Sequence, residues 1–260
     1  MNPKWSSRFE LKHPGSGKWV FVPTTASIEA GEKIRKLIAN RWKVPPYYYH
    51  LRAGGHVEAL RAHLRHSHFL HIDIKDFFGS INRSRVGRAL REYVQHEEAR
   101  EMANASTVRD PADKNRYFLP YGFVQSPMVA SLCLSKSRLG TYLDNLHAMD
   151  GVSLSVYVDD IIISSDDPKV CTSILSELGA AAEKANFTLN EAKQQGPAPV
   201  ITAFNIVLEH AGMRVDEPRL QAFAVKLKEP TSQSQRAGII SYVKSVSPEQ
   251  GAALADDSPA

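Results

Sequence analysis

The sequence has 260 residues, of which 43% are hydrophobic and 23% charged, a balance typical of a globular protein. It contains no run of about 18 apolar residues, and its first residues lack the apolar core of a signal peptide, so we expect a cytoplasmic protein that makes no membrane contact. Cys133 and Cys171 have no CxxC partner, which argues against a disulfide framework or a structural zinc site.

The net charge of +4 is unevenly distributed along the chain. Residues 1–72 contain 12 Lys and Arg against 4 Glu, a net +8, which leaves −4 for residues 73–260. Seven of the ten histidines also lie in the basic part, and their spacing is not that of a metal site, so we expect them at the surface or facing nucleic acid. These charges indicate a polyanion bound by the first part and metal-dependent chemistry in the second, or else a solvated basic face beside an acidic domain.

In chain order, hydrophobic spacing predicts helices that alternate with short strands. The first half is predicted to contain a strand at 18–23, helices at 28–43 and 57–65, the strand FLHI before Asp73, and a helix from Asn82 to about Arg100. Residues 103–116 are polar and are predicted to form a loop.

The second half is predicted to begin with the longest helix, which runs from Ser126 as its N-cap to about His147. An alternating apolar strand at 152–158 leads to Asp159 and Asp160. The elements predicted after them are the strand IIISS, a helix at 168–186, a strand at 200–208, a return strand after the turn at 210–212, and basic helices within 217–245. The polar residues 246–260 are predicted to be a flexible tail. This order indicates an α+β domain with a largely antiparallel sheet.

Three aspartates carry the strongest chemical signal. Asp73 follows the strand FLHI, and Asp159 and Asp160 lie at the turn between two apolar strands. Aspartate is a common turn residue, so the pair alone has an ordinary structural explanation. The flanking sequence YVDDIII is too apolar for an exposed turn, however, and its carboxylates would repel one another unless cations neutralised them. If the strand before Asp73 lies beside this hairpin, the carboxylates meet at one sheet edge and can bind two Mg²⁺ ions for nucleotidyl transfer.

Four segments resemble, in order and approximate spacing, the palm motifs of reverse transcriptases: DIKDFFGSI (73–81), LPYGFVQSP (119–127), YVDD (157–160) and FTLNEAK (187–193). The similarity covers about residues 18–220. The DIKDFF form and the segment ITAFNI (201–206) resemble retron-like or defence-associated prokaryotic enzymes more than retroviral ones. Tyr121 stands where this family commonly has Gln.

The resemblance implies roles for residues at the matching positions. Asp73, Asp159 and Asp160 would bind the metal ions together with the backbone carbonyl of Ile74. Lys193 would be a general acid, although an exposed lysine would give the same sequence, and Phe78 would exclude a 2′-hydroxyl. The other residues expected to bind the incoming dNTP are Lys75, Asp76, Phe77, Gln125, Lys33 and Arg35. Those expected to bind nucleic acid are Arg41, Arg52, Tyr121, Gly122, Ser126, Thr202 and Asn205, with Tyr47, Tyr48 and Tyr49 as candidates for stacking on bases.

The resemblance also implies a right-hand polymerase fold, an α+β architecture with an antiparallel RRM-like palm. Fingers would occupy residues 1–72, the palm 73–208 with a fingers insertion at about 82–118, and a primer grip with a short helical thumb 209–245. The implied activity is RNA-directed DNA synthesis from a 3′-hydroxyl with dNTPs and two Mg²⁺ ions, for which Mn²⁺ would be a substitute. The implied partners are a noncoding RNA template, a DNA or RNA primer, and an effector or second subunit, in a retron-like or antiphage defence system.

Three alternatives remain open at this point. One is template-independent or protein-primed DNA synthesis by a defence reverse transcriptase. Another is a non-catalytic nucleic-acid-binding scaffold. The three aspartates argue against it, because a site that no longer catalysed a reaction would have no need to keep mutually repelling carboxylates. The third is an RNA polymerase with the same palm, which Phe78 disfavours.

Overall fold

The computed structural model describes residues 6–11, 19–230 and 232–256, so Lys18, the first residue of the strand predicted at 18–23, and residues 257–260 of the predicted tail lie outside it. The chain forms two compact units. Unit 1 comprises Met1–Leu51, Ile74–Asn145 and Leu178–Leu189, and unit 2 comprises Arg52–Asp73, Leu146–Glu177 and Asn190–Ala260. Both units are discontinuous in sequence, whereas fingers, palm and thumb were predicted as consecutive segments, and that division stays a prediction.

The described residues contain ten α-helices. These are α1 (Thr25–Arg41), α2 (Gly55–Arg61), α3 (Arg83–Leu90), α4 (His96–Ser106), α5 (Ser126–Ser135), α6 (Arg138–His147), α7 (Pro168–Lys184), α8 (Glu217–Lys228), α9 (Gln233–Val246) and α10 (Pro248–Asp256). Side-chain caps begin several of them, since Thr24 accepts from the Ser27 amide and Asn82 from the Arg85 amide. None of the helices in the described ranges is long and apolar enough to cross a bilayer.

The strands are short and pair antiparallel. They are β1 (Ser6–Leu11), β2 (Trp19–Pro23), β3 (His68–Lys75), β4 (Val108–Arg109), β5 (Tyr117–Phe118), β6 (Val152–Tyr157), β7 (Asp160–Ser165), β8 (Thr188–Leu189), β9 (Gln195–Ala198), β10 (Val200–Ala203), β11 (Ile206–Glu209) and β12 (Gly212–Val215).

Unit 1 is mainly helical. Helix α1 buries Ile34 and Ile38 and packs on α4 and α5, while α3 also packs on α4 and α5. The strand pairs β1–β2 and β4–β5 belong to this unit, and Phe21 and Phe118 join them in a small apolar cluster with ring centroids 5.9 Å apart. The end of β3 also lies here, where Ile74 pairs with Leu189 of β8.

Unit 2 contains the larger sheet, with the strand order β6–β7–β3–β9. Residues 69–74 of β3 are all buried, as is expected for a central strand. A second sheet, β10–β11–β12, packs its apolar face with α2 and with helices α8, α9 and α10 in one hydrophobic core. The predicted α+β class with an antiparallel sheet is confirmed.

Two predicted long helices are each divided into two. The helix predicted at 126–147 ends at Ser135, and α6 begins at Arg138. The Ser137 hydroxyl lies between them, where it donates to the Leu134 carbonyl of α5 and accepts from the Gly140 amide of α6. Ser126 is not the N-cap, because Gln125 precedes the first helical residue. The helix predicted from Asn82 ends at Leu90, whose carbonyl accepts the amides of both Tyr93 and Val94.

Three further predictions of local structure were wrong. The strand predicted at 200–208 is the hairpin β10–β11, whose turn residues Phe204 and Asn205 both have positive φ, 57° and 59°. The loop predicted at 103–116 contains the end of α4 and strand β4. Part of the predicted flexible tail is helix α10. The Gln250 side chain fixes this helix to β12, because its Nε2 donates to the Val215 carbonyl and its Oε1 accepts from the Val215 backbone amide.

Candidate active site

The paired aspartates lie at the tip of the β6–β7 hairpin. Tyr157 pairs with Asp160, so Val158 and Asp159 form a two-residue turn. Val158 has φ of 60°, an uncommon conformation for a β-branched residue, and such outliers concentrate at functional sites. Asp73 lies within β3, directly opposite Asp160 in the β3–β7 register, and not after the strand as predicted. The fold of unit 2 therefore brings the three predicted carboxylates to one end of its sheet.

Asp73 is buried and has protein donors on both carboxylate oxygens. Asn190 Nδ2 donates to Oδ1 over 2.7 Å, and Lys193 Nζ donates to Oδ2 over 2.9 Å. The Asn190 amide also donates to the Asp73 carbonyl over 2.8 Å. Sequence reasoning missed Asn190, although its place in FTLNEAK, three residues before Lys193, was a signal. Asn190 and Lys193 together orient the Asp73 carboxylate, and Lys193 neutralises its charge.

Asp160 is held by His71, whose Nε2 lies 2.7 Å from Oδ1. His71 is buried on β3, two residues before Asp73, and the ring of Phe204 lies against it with centroids 6.3 Å apart. Phe204 also packs edge-on against Tyr157, centroids 5.2 Å apart. The β10–β11 turn is thus packed directly against the hairpin that carries Asp159 and Asp160.

Asp159 has the most perturbed carboxyl of the site. Burial raises its pKa to about 6, and the negative charges of Asp160 and Asp73 act in the same direction, while Lys193 acts in the opposite one. Hydrogen bonding to Asp73 raises the pKa of Lys193. Across the described ranges, no three His, Cys, Asp or Glu side chains are already grouped as ligands of one metal ion. Asp73 and Asp160 instead face the protein donors described above.

Unit 1 holds the aromatic residues of the DIKDFF motif. Phe78 is 7% exposed, and its ring packs edge-on against Tyr121, with centroids 4.8 Å apart. Phe77 is fully buried between Phe78 and Phe187. Asp76 is exposed, with a positive φ of 47°. These rings form one packed cluster, in which Phe78 keeps only a small exposed fraction.

Two predicted contacts from the LPYGFVQSP segment were wrong, and a third stays a prediction. Gln125 is fully buried and donates to the Ala105 carbonyl, so it does not face a nucleotide. Ser126 is also buried. Gly122 has φ of +99°, and a Cβ there would lie 2.6 Å from the Phe21 carbonyl oxygen. Its lack of a side chain allows the backbone to approach β2, and because Gly122 is exposed, its contact with nucleic acid stays a prediction.

The tyrosine and histidine predictions also need correction. Tyr47 and Tyr48 are buried in unit 1, where the Tyr47 hydroxyl donates to Asp144 over 2.7 Å, so neither is available for base stacking. His63 and His66 are buried in unit 2 and not at the surface. They hydrogen-bond serine hydroxyls of β6 and β7, and burial lowers the pKa of His63 to about 3.

Ile74 is fully buried, whereas the other remaining predicted site residues are at or near the surface of their units. Thr202 is half-buried, and its backbone amide and carbonyl are both bonded by the Gln195 side chain. Arg35 is paired with Glu32, and Arg41 donates to the Tyr93 carbonyl. The exposed members of the predicted set are Lys33, Arg35, Arg41, Arg52, Lys75, Asp76, Gly122, Lys193 and Asn205.

The geometry defines a class of protein. An antiparallel hairpin with two aspartates at its tip, beside a strand that carries a third, is the palm of a right-hand polymerase. A model of the family described as reverse transcriptase (RNA-dependent DNA polymerase) matches residues 27–205, more than half of the chain. The chain therefore belongs to the reverse transcriptase family.

One curated relative is the retron Mx65 reverse transcriptase of Myxococcus xanthus, 24% identical over 263 aligned positions. The match covers 94% of this chain but only 62% of the relative, so the chain spans less than two thirds of that protein's length. The likeness is to a prokaryotic, retron-type reverse transcriptase, as the motifs predicted.

Two solved structures share the fold. Telomerase from Candida albicans, in complex with a TWJ fragment of telomeric RNA, has a TM-score of 0.54 at 10% identity, over 88% of this chain and 47% of that chain. The foamy viral protease-reverse transcriptase in complex with double-stranded DNA has a TM-score of 0.51 at 17% identity, over 90% and 34%. These likenesses support the predicted polymerase fold.

Proposed function

We propose that this protein is an RNA-directed DNA polymerase that adds dNTPs to a 3′-hydroxyl, with Asp73, Asp159 and Asp160 as its catalytic carboxylates. The observation that carries the proposal is the register of unit 2, which sets Asp73 opposite Asp160 and places Asp159 in the adjoining turn. Three acidic side chains on neighbouring strands are unfavourable for folding alone, and the raised pKa of Asp159 reflects burial first and then this repulsion. A site built at this cost to stability is explained by cation binding.

The donor set suits Mg²⁺, a hard cation that is bound by one or two carboxylates and completed by water and phosphate oxygens. Asp73, Asp159 and Asp160 would hold two such ions with the Ile74 carbonyl, and Mn²⁺ would substitute. When bound, the ions would neutralise charge on the attacking and leaving oxygens of the phosphoryl transfer. Asn190 and His71 hold Asp73 and Asp160 in place from the protein side.

Lys193 is the proposed proton donor to the departing pyrophosphate. Its ammonium is bonded to Asp73 and remains partly exposed, so it is both held at the site and able to reach a ligand. The raised pKa of Lys193 keeps it protonated near neutral pH, as a general acid requires.

Sugar selection is assigned to Phe78. Its ring is fixed by Phe77 and Tyr121, so it cannot yield to a 2′-hydroxyl by rotating away. Lys75, Asp76, Lys33 and Arg35 are the proposed contacts of the triphosphate and its surroundings. A rigid aromatic edge favours dNTPs over NTPs by steric exclusion.

The proposed nucleic-acid contacts are the exposed cations of residues 1–72 and the β10–β11 turn. Asn205 is exposed at that turn, which packs on the catalytic hairpin through Phe204 and is therefore suited to hold a primer end. Helices α8 to α10 would serve as the short thumb. By likeness to the retron relative, the template is a noncoding RNA, in a retron-like or antiphage defence system that includes an effector or second subunit. Template-independent or protein-primed synthesis is the alternative.

The test is Asp159→Asn, with Asp150→Asn as the matched control, because Asp150 is an exposed aspartate in the turn before β6. On a poly(rA)–oligo(dT) substrate with Mg²⁺ and dTTP, we expect Asp159→Asn to lose incorporation by a factor of roughly a thousand or more, a loss of the size expected for removing transition-state charge stabilisation. The control should keep the wild-type rate. RNA binding without incorporation by the wild type would favour a scaffold, and equal rates in both variants would remove the two-metal assignment.

A further inference from the structure

A basic cavity of about 300 Å³ lies in unit 1 among residues that have no part in the proposed polymerase site. Four helices line it: α3, the end of α5, the start of α6 and the end of α7. The charged residues of the lining are Arg85, Arg88, Lys136, Arg138, Lys184 and Glu92. Its charge is therefore strongly positive.

The single acid of the lining does not balance these cations. Glu92 pairs with Lys136, over 2.5 Å. Arg88, Arg138 and Lys184 pair with no carboxylate anywhere in the described ranges. A concave surface with uncompensated positive charge concentrates anions.

Arg85 is held rigidly beside this cavity. Its Nη2 donates to the Ala185 carbonyl, and its guanidinium lies over the Phe187 ring, 4.4 Å from the centroid. Its Nη1 is buried and finds no hydrogen-bond acceptor within the described part of the chain. Burial lowers the pKa of Arg85, and the nearby charge of Arg88 contributes in the same direction. An unsatisfied buried donor is a cost to folding, and Nη1 itself has no accessible surface through which an anion could reach it.

Helix stability does not explain these cations. Lys184 is the last residue of α7, where the helix dipole favours a positive charge. Arg85, however, lies in the first turn of α3, and Arg138 is the first residue of α6. At helix N-termini the dipole disfavours cations and favours anions. Arg85 and Arg138 are thus placed against the dipole, as in a site shaped for an anionic ligand.

Helix α3 also borders a second basic cavity, of about 200 Å³, which is lined in part by Arg83, Arg91, His96 and Arg100. The helix itself, RSRVGRAL, contains no acidic residue. One free anion would need only one of the two cavities. Basic cavities on both sides of a single helix suit a ligand that carries several phosphates in a row.

We propose that the cavity bounded by Arg85, Arg88, Arg138 and Lys184 binds a backbone phosphate of RNA, and that α3 anchors this RNA outside the polymerase site. The inference rests on the proposed function, because it takes the RNA to be the one that supplies the template. The cavity would recognise a phosphate group, which either the RNA backbone or free inorganic phosphate can supply.

The test compares Arg88→Gln/Lys184→Gln with the control Lys114→Gln/Lys169→Gln, which removes the same charge from two exposed lysines. The probe is a fluorescein-labelled RNA hairpin with single-stranded flanks, titrated by anisotropy over a salt series. We expect the cavity variant to weaken RNA binding and to reduce the slope of log Kd against log salt by about 1 for each phosphate that the variant no longer neutralises. Arg88→Lys/Lys184→Arg should restore most of the affinity, and the control should match wild type.

Several outcomes would overturn the inference. An unchanged Kd and salt slope in the cavity variant, with circular dichroism showing it folded, would do so. Calorimetry with inorganic phosphate alone that shows binding to wild type but not to the variant, with RNA affinity unchanged, would assign the cavity to free phosphate. A loss confined to a DNA hairpin of the same sequence would exclude RNA. Incorporation on poly(rA)–oligo(dT) by the same wild-type preparation tests the proposed function separately. If no incorporation is found, the comparison of RNA binding between wild type and variant can still be interpreted.

Discussion

Replacing His63 with Gln should make the stability of unit 2 much less sensitive to acid. His63 is completely buried, and its Nδ1 lies 2.7 Å from Ser164 Oγ while its Nε2 lies 2.9 Å from Ser155 Oγ. Ser155 belongs to β6 and Ser164 to β7, so the imidazole joins the two strands whose turn carries Asp159. Glutamine can hydrogen-bond the same hydroxyls but does not titrate.

The magnitude follows from the shift of the His63 pKa, which burial and the charges of His66 and Arg65 lower from 6.5 to about 3. Because the pKa is lower in the folded protein, the unfolded chain binds this proton first, and stability is lost as the pH falls below 6.5. Each pH unit below that value costs about 1.4 kcal/mol until the folded pKa is reached. Between about pH 7 and about pH 5 the loss is therefore about 2 kcal/mol from this residue alone.

The assay is urea unfolding followed by circular dichroism at both pH values, for wild type, His63→Gln and the control His96→Gln. His96 is exposed on α4, so its removal should leave the pH dependence as in wild type. His63→Gln should retain about 2 kcal/mol more of its own neutral-pH stability on acidification. An equal loss in all three proteins would refute the idea that buried, neutral His63 is a source of the acid sensitivity.

Two further predictions concern catalysis. Phe78→Val should raise incorporation of NTPs relative to dNTPs by at least about 10- to 200-fold, the range that a single methylene more or less in an apolar pocket gives. Phe118→Leu, at another buried phenylalanine of unit 1, is the control, and a wild type that already uses both nucleotides equally contradicts the prediction. Lys193→Met should lower kcat by about 10²- to 10⁴-fold, the usual contribution of a general acid. Lys193→Arg keeps the charge beside Asp73 but cannot release a proton at neutral pH, so a wild-type kcat in that variant would exclude proton transfer from Lys193.

The sequence predicted the elements whose signals are local. The alternating strand before Asp159, the Asn82 cap and the basic helices α8 and α9 are present in the structure. The helix break at Ser137 was not predicted, because a serine side chain that caps two helices at once resembles any other polar helical residue. The β10–β11 turn was missed because Phe204 and Asn205 lack the glycine that usually marks positive φ.

At the site, the residue types and their order were sufficient to single out Asp73, Asp159 and Asp160, because their flanking sequence is unusual for charged residues. Lys193 was implied only by the family resemblance. The partners of these residues were not predictable in the same way. Asn190 and His71 are ordinary in sequence and acquire their roles only because the sheet register sets them against Asp73 and Asp160.

The sequence by itself determined the class of protein, because catalysis by paired carboxylates requires particular residues at particular spacings, and the amino-acid sequence shows both. Burial was decided by the tertiary structure. Gln125, Ser126, Tyr47 and His63 are polar or amphipathic, and a one-dimensional pattern does not tell whether a hydrogen-bonding group meets water, a ligand or a partner from a distant segment. The fold supplies partners such as Ala105 for Gln125 and Asp144 for Tyr47, which come from more than 15 residues away in the chain.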